Sequence, residues 1–145
     1  MKRVAALGLD VGRKRIGVAG CDGTGLIATG ITTIHRQNWT EDVRQLKEIV
    51  ERRDIDILII GLPYSLDGTV GAQAKHTQKF AERISRILEL PFEYVDERLT
   101  SVEATAQLKS QKQFSTYDKG AIDRRAAAII LQQWLDTNRA ARTTD

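Results

Sequence analysis

The first third of the chain alternates short apolar segments with turns, which predicts strands rather than helices. Residues 4–9 form a continuous apolar run, as expected for a central strand covered on both faces. Residues 15–20 place Ile16 and Val18 on one face, and an Ile- and Thr-rich segment follows at 26–34, after an Asp-Gly-Thr-Gly turn. Short turns between three successive strands predict an antiparallel meander.

The hydrophobic period changes after residue 40. Val43, Leu46 and Ile49 recur at helical spacing, with Thr40 as the predicted N-cap. The elements predicted after this helix are a strand at 55–60, a helix ending before Pro91, a strand at 92–95, a short helix opening at Thr100 and a final helix at 120–136.

This order of elements predicts an α/β fold. Three antiparallel strands followed by strand–helix–strand units give a five-stranded mixed sheet, with parallel later strands and helices on both faces. A chain of 145 residues suits a single domain, predicted at 1–139, with residues 140–145 as a disordered tail.

Composition narrows the classes of protein only slightly. The 22 Lys and Arg against 19 Asp and Glu give a net charge of +3, which permits an anionic partner without indicating one. One cysteine, Cys21, excludes an intrachain disulfide and a cysteine-cage zinc site. Asp10 interrupts the N-terminal apolar run and no later run approaches the ~18 residues of a membrane span, so a cytoplasmic protein is predicted.

Acidic residues lie where the predicted sheet should carry a site, because sites in open α/β sheets gather at the carboxyl ends of parallel strands. Asp10 follows the first apolar strand and Asp96-Glu97 follow the fifth. Consecutive strand residues face opposite sides, so one of these last two should face Asp10. Asp123 begins the core-facing stripe of the final helix. Three carboxylates would then converge.

Such a cluster requires compensation by positive charge. Two like charges ~4 Å apart repel by about 4 kcal/mol at an effective dielectric near 20. Mg²⁺ or Mn²⁺ would neutralise them, since both prefer oxygen ligands, and a pair of such ions activates water for phosphodiester hydrolysis. Simpler interpretations remain open: Asp123 could interact with the helix dipole, and Asp96 or Glu97 could pair with Arg98. Asp10 is harder to explain in this way, because a carboxylate after so apolar a run needs a partner.

Four blocks of sequence, in order along the chain, carry a family resemblance. They are GLDVGRKRIGVA at 8–19, GLP at 61–63 with DGT at 67–69, DERLTSVEA at 96–104, and Lys119-Gly120 with Asp123 and residues 127–132. Together they resemble the YqgF/RuvX family.

The resemblance implies an RNase H-like fold and an acidic metal site at Asp10, Glu97 and Asp123, which would bind Mg²⁺ or Mn²⁺. Asp96 would lie in the outer shell or point away. Many relatives of the wider fold use four carboxylates, so the number of metals stays open. The family is described as a nuclease that trims the 5′ end of precursor 16S ribosomal RNA, and also as a Holliday junction resolvase.

Basic residues accompany the proposed acids. Arg13 and Lys14 follow Gly12 in the turn after Asp10, and Arg98, Lys119 and Arg124 adjoin the other acids. We expect these side chains to contact the phosphates of a nucleic acid. The alternative for Arg13 and Lys14 is a hairpin turn with solvated side chains. Lys75 and Lys79 either extend this track or form a solvated helix face, and the two histidines lack metal-ligand spacing.

The sequence predicts a metal-dependent nuclease acting on precursor ribosomal RNA, and three other functions are alternatives to it. An ATP-binding kinase module needs two duplicated halves, and no Walker-A pattern occurs. A non-catalytic RNA- or protein-binding factor would not need the three acids. A resolvase acting on branched DNA would share the chemistry but would need a homodimer, and the sequence leaves that assembly open.

Overall fold

A computed structural model describes residues 3–63, 70–96 and 119–143, with the backbone alone for residues 140–143. The predicted helix from Thr100 lies outside the described residues. The elements are β1 (Ala6–Val11), β2 (Arg15–Cys21), β3 (Ala28–His35), α1 (Trp39–Arg53), β4 (Ile57–Leu62), α2 (Ala72–Leu88), β5 (Phe92–Asp96) and α3 (Lys119–Thr143).

The five strands form one mixed sheet in the order β3-β2-β1-β4-β5. β1 pairs with β2, and β2 with β3, in antiparallel fashion. β4 lies parallel to β1 on one side and to β5 on the other. The predicted meander and the predicted parallel strands are therefore confirmed.

Helices cover both faces of the sheet, as predicted. Leu7, Leu9 and Val11 of β1 point into a core that α1 closes with Leu46 and α2 closes with residues 80–84. The alternate β1 positions face α3, whose residues 127–135 form the second core with Ala6 and Ile59. This alternation assigns Asp10 to the α3 face.

Glycines in the sheet allow α3 to approach closely. A Cβ atom on Gly8 would lie 2.8 Å from Leu131 Cβ, and one on Gly17 would lie 2.0 Å from the carbonyl oxygen of Asp123. Real side chains do not fit at such separations. The fully buried alanines Ala126 and Ala127 provide a narrow surface on the helix side.

Several predicted boundaries were wrong. Asn38, not Thr40, caps α1, because its side chain accepts a hydrogen bond from the Glu41 backbone N–H at 2.9 Å. β1 continues through Asp10 to Val11, since its ladder with β2 extends to the Val11–Ile16 pair. The backbone of α3 extends to Thr143, past the predicted end of the final helix at residue 136, and no glycine or proline interrupts this alanine- and arginine-containing end.

In the parts of the chain that the structure describes, no helix combines the length and the apolar character that crossing a bilayer requires.

Candidate active site at the end of the sheet

Asp10 lies near the end of β1 with its side chain on the α3 face. It pairs across the ladder with Gly17 of β2, and it is only partly buried although its strand neighbours Leu9 and Val11 are buried. Directly paired residues in antiparallel strands have their Cα atoms about 4.5–5.5 Å apart. The missing side chain of Gly17 therefore leaves space beside the Asp10 carboxylate.

Asp123 lies over that space. A Cβ atom on Gly17 would lie 3.1 Å from Asp123 Cβ and would also touch the Asp123 carbonyl oxygen. Helix α3 therefore crosses β2 at Gly17, the residue that pairs with Asp10. Residues 10 and 123, far apart in sequence, are thus brought to one end of one sheet face. Two of the three predicted acidic positions therefore lie on the same face, at the same end of the sheet.

Arg15 is the charged partner of Asp123. Its Nε donates to Asp123 Oδ2 at 2.6 Å, with the two side chains 28% and 19% exposed. The helix-dipole interpretation of Asp123 is not supported, because α3 begins at Lys119 and carries no acidic residue in its first turn. Arg15 was not among the site residues predicted from the sequence. The available signal was its position two residues before Gly17, on the same face of β2.

The turn between β1 and β2 is held from the opposite face of the sheet. Gly12 donates its backbone N–H to the Arg15 carbonyl oxygen at 2.9 Å, which closes the turn. Arg36 Nη1 donates to the Gly12 carbonyl oxygen at 2.9 Å, and Gln73 Nε2 donates to the Val11 carbonyl oxygen at 3.2 Å. Side chains from two other parts of the chain therefore fix the backbone that follows Asp10.

Arg36 is itself oriented by a buried acid. Its Nε donates to Asp42 Oδ2 at 3.3 Å, and Asp42 is only 2% exposed. The other Asp42 oxygen accepts from the Gln37 backbone N–H at 3.2 Å. Arg36 was also missed by the sequence analysis, since nothing in the local pattern ties it to a turn more than twenty residues earlier.

His76 of α2 completes this cluster. Its Nε2 lies 3.0 Å from Arg36 Nη1 and must accept that hydrogen bond, because an arginine only donates. Burial, followed by the charges of Arg36, Arg13 and Lys79, lowers the pKa of His76 from its ordinary value of 6.5. The ring is therefore neutral near pH 7, with its proton on Nδ1.

The predicted phosphate-binding residues occupy different positions around this end of the sheet. Arg13 and Lys14 are exposed in the β1–β2 turn, and Lys119 is exposed at the start of α3. Arg13 Nε donates to Gln73 Oε1 at 3.1 Å. Arg124 instead packs against the edge strand, where its Nη1 donates to Thr33 Oγ1 at 3.2 Å.

The remaining predicted site residues lie at the end of β5. Asp96 is exposed and pairs with Leu62 of β4, and it shares its strand face with Phe92, which packs into the α1/α2 core. Glu97 and Arg98 lie outside the described residues. Within the described parts of the chain, no group of three His, Cys, Asp or Glu side chains is placed to hold a metal ion.

Comparison with known proteins connects this geometry to a family. The family model described as "RuvX: Holliday junction resolvase" matches residues 4–137. A protein of Rippkaea orientalis named "Putative pre-16S rRNA nuclease" is 70% identical over 139 residues, which is 96% of this chain and 100% of the relative. A Synechocystis protein of the same name is 65% identical over 139 residues, or 96% of this chain and 91% of the relative.

Solved structures with much lower sequence identity share the fold. RuvC of T. thermophilus in complex with a Holliday junction superposes with a TM-score of 0.60 at 10% identity, covering 94% of this chain and 96% of that chain. A Fowlpox virus resolvase in complex with Holliday junction DNA superposes with a TM-score of 0.57 at 13% identity, covering 93% and 99%. The RNase H-like fold predicted from sequence is thereby confirmed, and the chain belongs to the RuvX family.

Proposed function

We propose that the protein is a metal-dependent nuclease that hydrolyses phosphodiester bonds in precursor 16S ribosomal RNA, in the cytoplasm. It is a hydrolase of the RuvX family, supported by the nuclease name of its relatives and by its resolvase-like fold. The observation that carries the site assignment is the close approach of α3 to Gly17, the residue that pairs with Asp10.

The donor set fits a hard divalent cation. Asp10 and Asp123 offer carboxylate oxygens on one face of the sheet, and oxygen ligands are those that Mg²⁺ and Mn²⁺ prefer. Glu97, the residue after the last position of β5, is proposed as the third ligand, whereas Asp96 belongs to the opposite face. When bound, such ions lower the pKa of water and stabilise the leaving oxygen of a phosphodiester.

The chain's own residues orient the site. Arg15 fixes the Asp123 carboxylate by an ion pair at 2.6 Å, and Arg36 and Gln73 fix the backbone that follows Asp10. Arg13, Lys14 and Lys119, with Arg98, are proposed to contact substrate phosphates through charge-assisted hydrogen bonds. Arg124 is proposed for the same role, while its bond to Thr33 also anchors α3 to the edge strand.

Cleavage of branched DNA is the second candidate function. It is favoured by the family model's description and by the two junction complexes of similar fold. Resolution of a four-way junction would require a homodimer, since two sites must act on two strands.

The test is incubation of the purified protein with precursor 16S ribosomal RNA and with a four-way DNA junction, each with Mg²⁺, Mn²⁺ or a chelator. We expect cleavage of the RNA near its 5′ end with either metal and none with the chelator. Cleavage of the junction alone would replace the RNA proposal with the resolvase. Cleavage that persists in the chelator would contradict the metal site.

A further inference from the structure

Three basic side chains lie on the α1/α2 side of the β1–β2 turn, on the face opposite the carboxylates. Arg13 comes from the turn, Arg36 from the segment after β3, and Lys79 from α2. All three act electrostatically on His76, which lies among them. We refer to Arg13, His76 and Lys79 as the α2 patch, with Arg36 beneath it.

Among the described residues, little negative charge opposes this patch. Asp42 from α1 is committed to Arg36 and is buried, and the first turn of α2 contains no acidic residue. Among the ion pairs of the described residues, none includes Arg13 or Lys79; Arg13 bonds the neutral side chain of Gln73 instead. Glu82 follows Lys79 on α2 and is exposed. Over the parts of the chain that the structure describes, the patch therefore carries more positive than negative charge.

The hydrogen-bond donors of the patch suit phosphate oxygens. Because His76 Nε2 accepts from Arg36, the neutral ring carries its remaining proton on Nδ1 as a donor. Arg13 contributes guanidinium N–H groups, and Lys79 an exposed ammonium group. Charged donors of this kind bind phosphates more strongly than neutral ones do.

We propose that Arg13, His76 and Lys79 bind the phosphate backbone of the RNA strand beside the position of cleavage. This inference rests on the proposed nuclease function, and it extends the contact surface to a side of the sheet where the sequence assigned His76 no role. Arg13 lies three residues after Asp10. A strand that crosses the β1–β2 turn would contact the carboxylate site on the α3 face and the α2 patch on the other.

His76 provides a direct spectroscopic test, since the chain has two histidines. The pKa of His76 is measured by NMR on the wild-type protein in a chelator, with and without a single-stranded oligoribonucleotide of about 12 nucleotides, within the site sizes of single-strand binders. A phosphate at the patch favours the protonated ring, so we expect the pKa of His76 to rise on binding. An unchanged pKa at saturating RNA would overturn the proposal.

Variants give an independent measurement. Lys79→Gln and Arg13→Gln should each weaken RNA binding and reduce the slope of log affinity against log salt by about 0.7 per lost phosphate contact. Lys47→Gln is the matched control, because Lys47 is exposed on α1 beside the acidic residue Glu48. Equal salt slopes for the three variants and the wild type would contradict the proposal.

The same samples distinguish failure of the nuclease function from failure of the α2 patch. If wild-type protein cleaves RNA with Mn²⁺ while His76 and the salt slopes do not respond, the nuclease function stands and the α2 patch is refuted. If the protein binds RNA through the patch but cleaves nothing, the patch stands and the nuclease proposal fails. Absence of RNA binding would overturn both.

Discussion

Gly17 determines how closely α3 approaches the sheet, and therefore where Asp123 lies relative to Asp10. A Cβ atom there would meet the Asp123 backbone carbonyl at 2.0 Å. Because backbone atoms cannot rotate away as a flexible side chain can, even one added methyl group must displace the helix. The position of Asp123 therefore depends on the absence of a side chain at Gly17.

Gly17→Ala should therefore destabilise the fold and impair the site together. We expect the free energy of unfolding in urea to fall by about 1–3 kcal/mol, the usual cost of overpacking, with loss of cleavage. Gly23→Ala is the matched control, since the nearest atom to a Cβ there is Arg3 Cγ at 3.8 Å. Equal stability of the two variants would show that α3 does not rest on Gly17.

Arg15 is expected to compete with a cation for Asp123. Its guanidinium already compensates the negative charge of that carboxylate at 2.6 Å. Arg15→Gln keeps a hydrogen-bond donor but removes the positive charge, so Mn²⁺ should bind more tightly. A partly exposed ion pair contributes up to about 1 kcal/mol, which corresponds to roughly 5-fold in affinity.

Isothermal titration with Mn²⁺ measures this effect without reference to activity. Arg52→Gln serves as control, since Arg52 pairs with Glu48 on the exposed surface of α1. Weaker Mn²⁺ binding by Arg15→Gln would mean that Arg15 supports the metal site, and unchanged binding would mean that Arg15 does not compete with the cation.

At the scale of elements, the β1–β2 turn is held between the sheet and α2. Arg36, Gln73 and His76 connect the turn to the segment after β3 and to the first two turns of α2. Asp42 of α1 fixes Arg36 from below. The backbone of the turn that carries Arg13 is thus hydrogen-bonded to two other parts of the molecule, although Arg13 itself is exposed.

His76 should make the stability of the fold depend on pH. Its pKa in the folded protein lies below 6.5, whereas the unfolded chain takes up the proton near 6.5. The unfolded state therefore binds more protons between these two values, and the free energy of unfolding falls as pH decreases through 6.5. His76→Gln should remove this contribution while retaining an acceptor for Arg36.

Urea denaturation at about pH 7.5 and about pH 5.5 measures the difference for both proteins. We expect the wild type to lose more stability on acidification than His76→Gln does. An identical loss in the two proteins would show that the His76 pKa is not lowered by its surroundings.

The sequence predicted the elements better than the contacts between them. The apolar run before Asp10 and the helical stripe of Ala127 and Ile130 fixed both elements and their buried faces, because local periodicity encodes burial. The pairing of Arg15 with Asp123, across 108 positions, depends on how α3 crosses β2. The close approach of α3 at Gly8 and Gly17 sets that crossing. No local hydrophobic pattern predicts such an approach.

On the scale of the whole molecule, the meander and the last helix meet at one end of the sheet. Asp10 lies on β1, Gly17 and Arg15 lie on β2, and Asp123 lies on α3. The α2 patch lies at the same end on the other face. Asp10 and Asp123 therefore lie on one side of the β1–β2 turn and the basic α2 patch on the other, an arrangement suited to a hard cation on one face and a polyanionic strand on the other.

The most direct measurement is metal-dependent cleavage of precursor 16S ribosomal RNA by wild type and by Asp10→Asn. Asp56→Asn is the matched control, since Asp56 is exposed next to the start of β4, at the opposite end of the sheet. With Mn²⁺ present, we expect Asp10→Asn to lose about two orders of magnitude in rate or more, with an unchanged circular dichroism spectrum, and Asp56→Asn to cleave normally. Cleavage by a folded Asp10→Asn variant at the wild-type rate would contradict the carboxylate site.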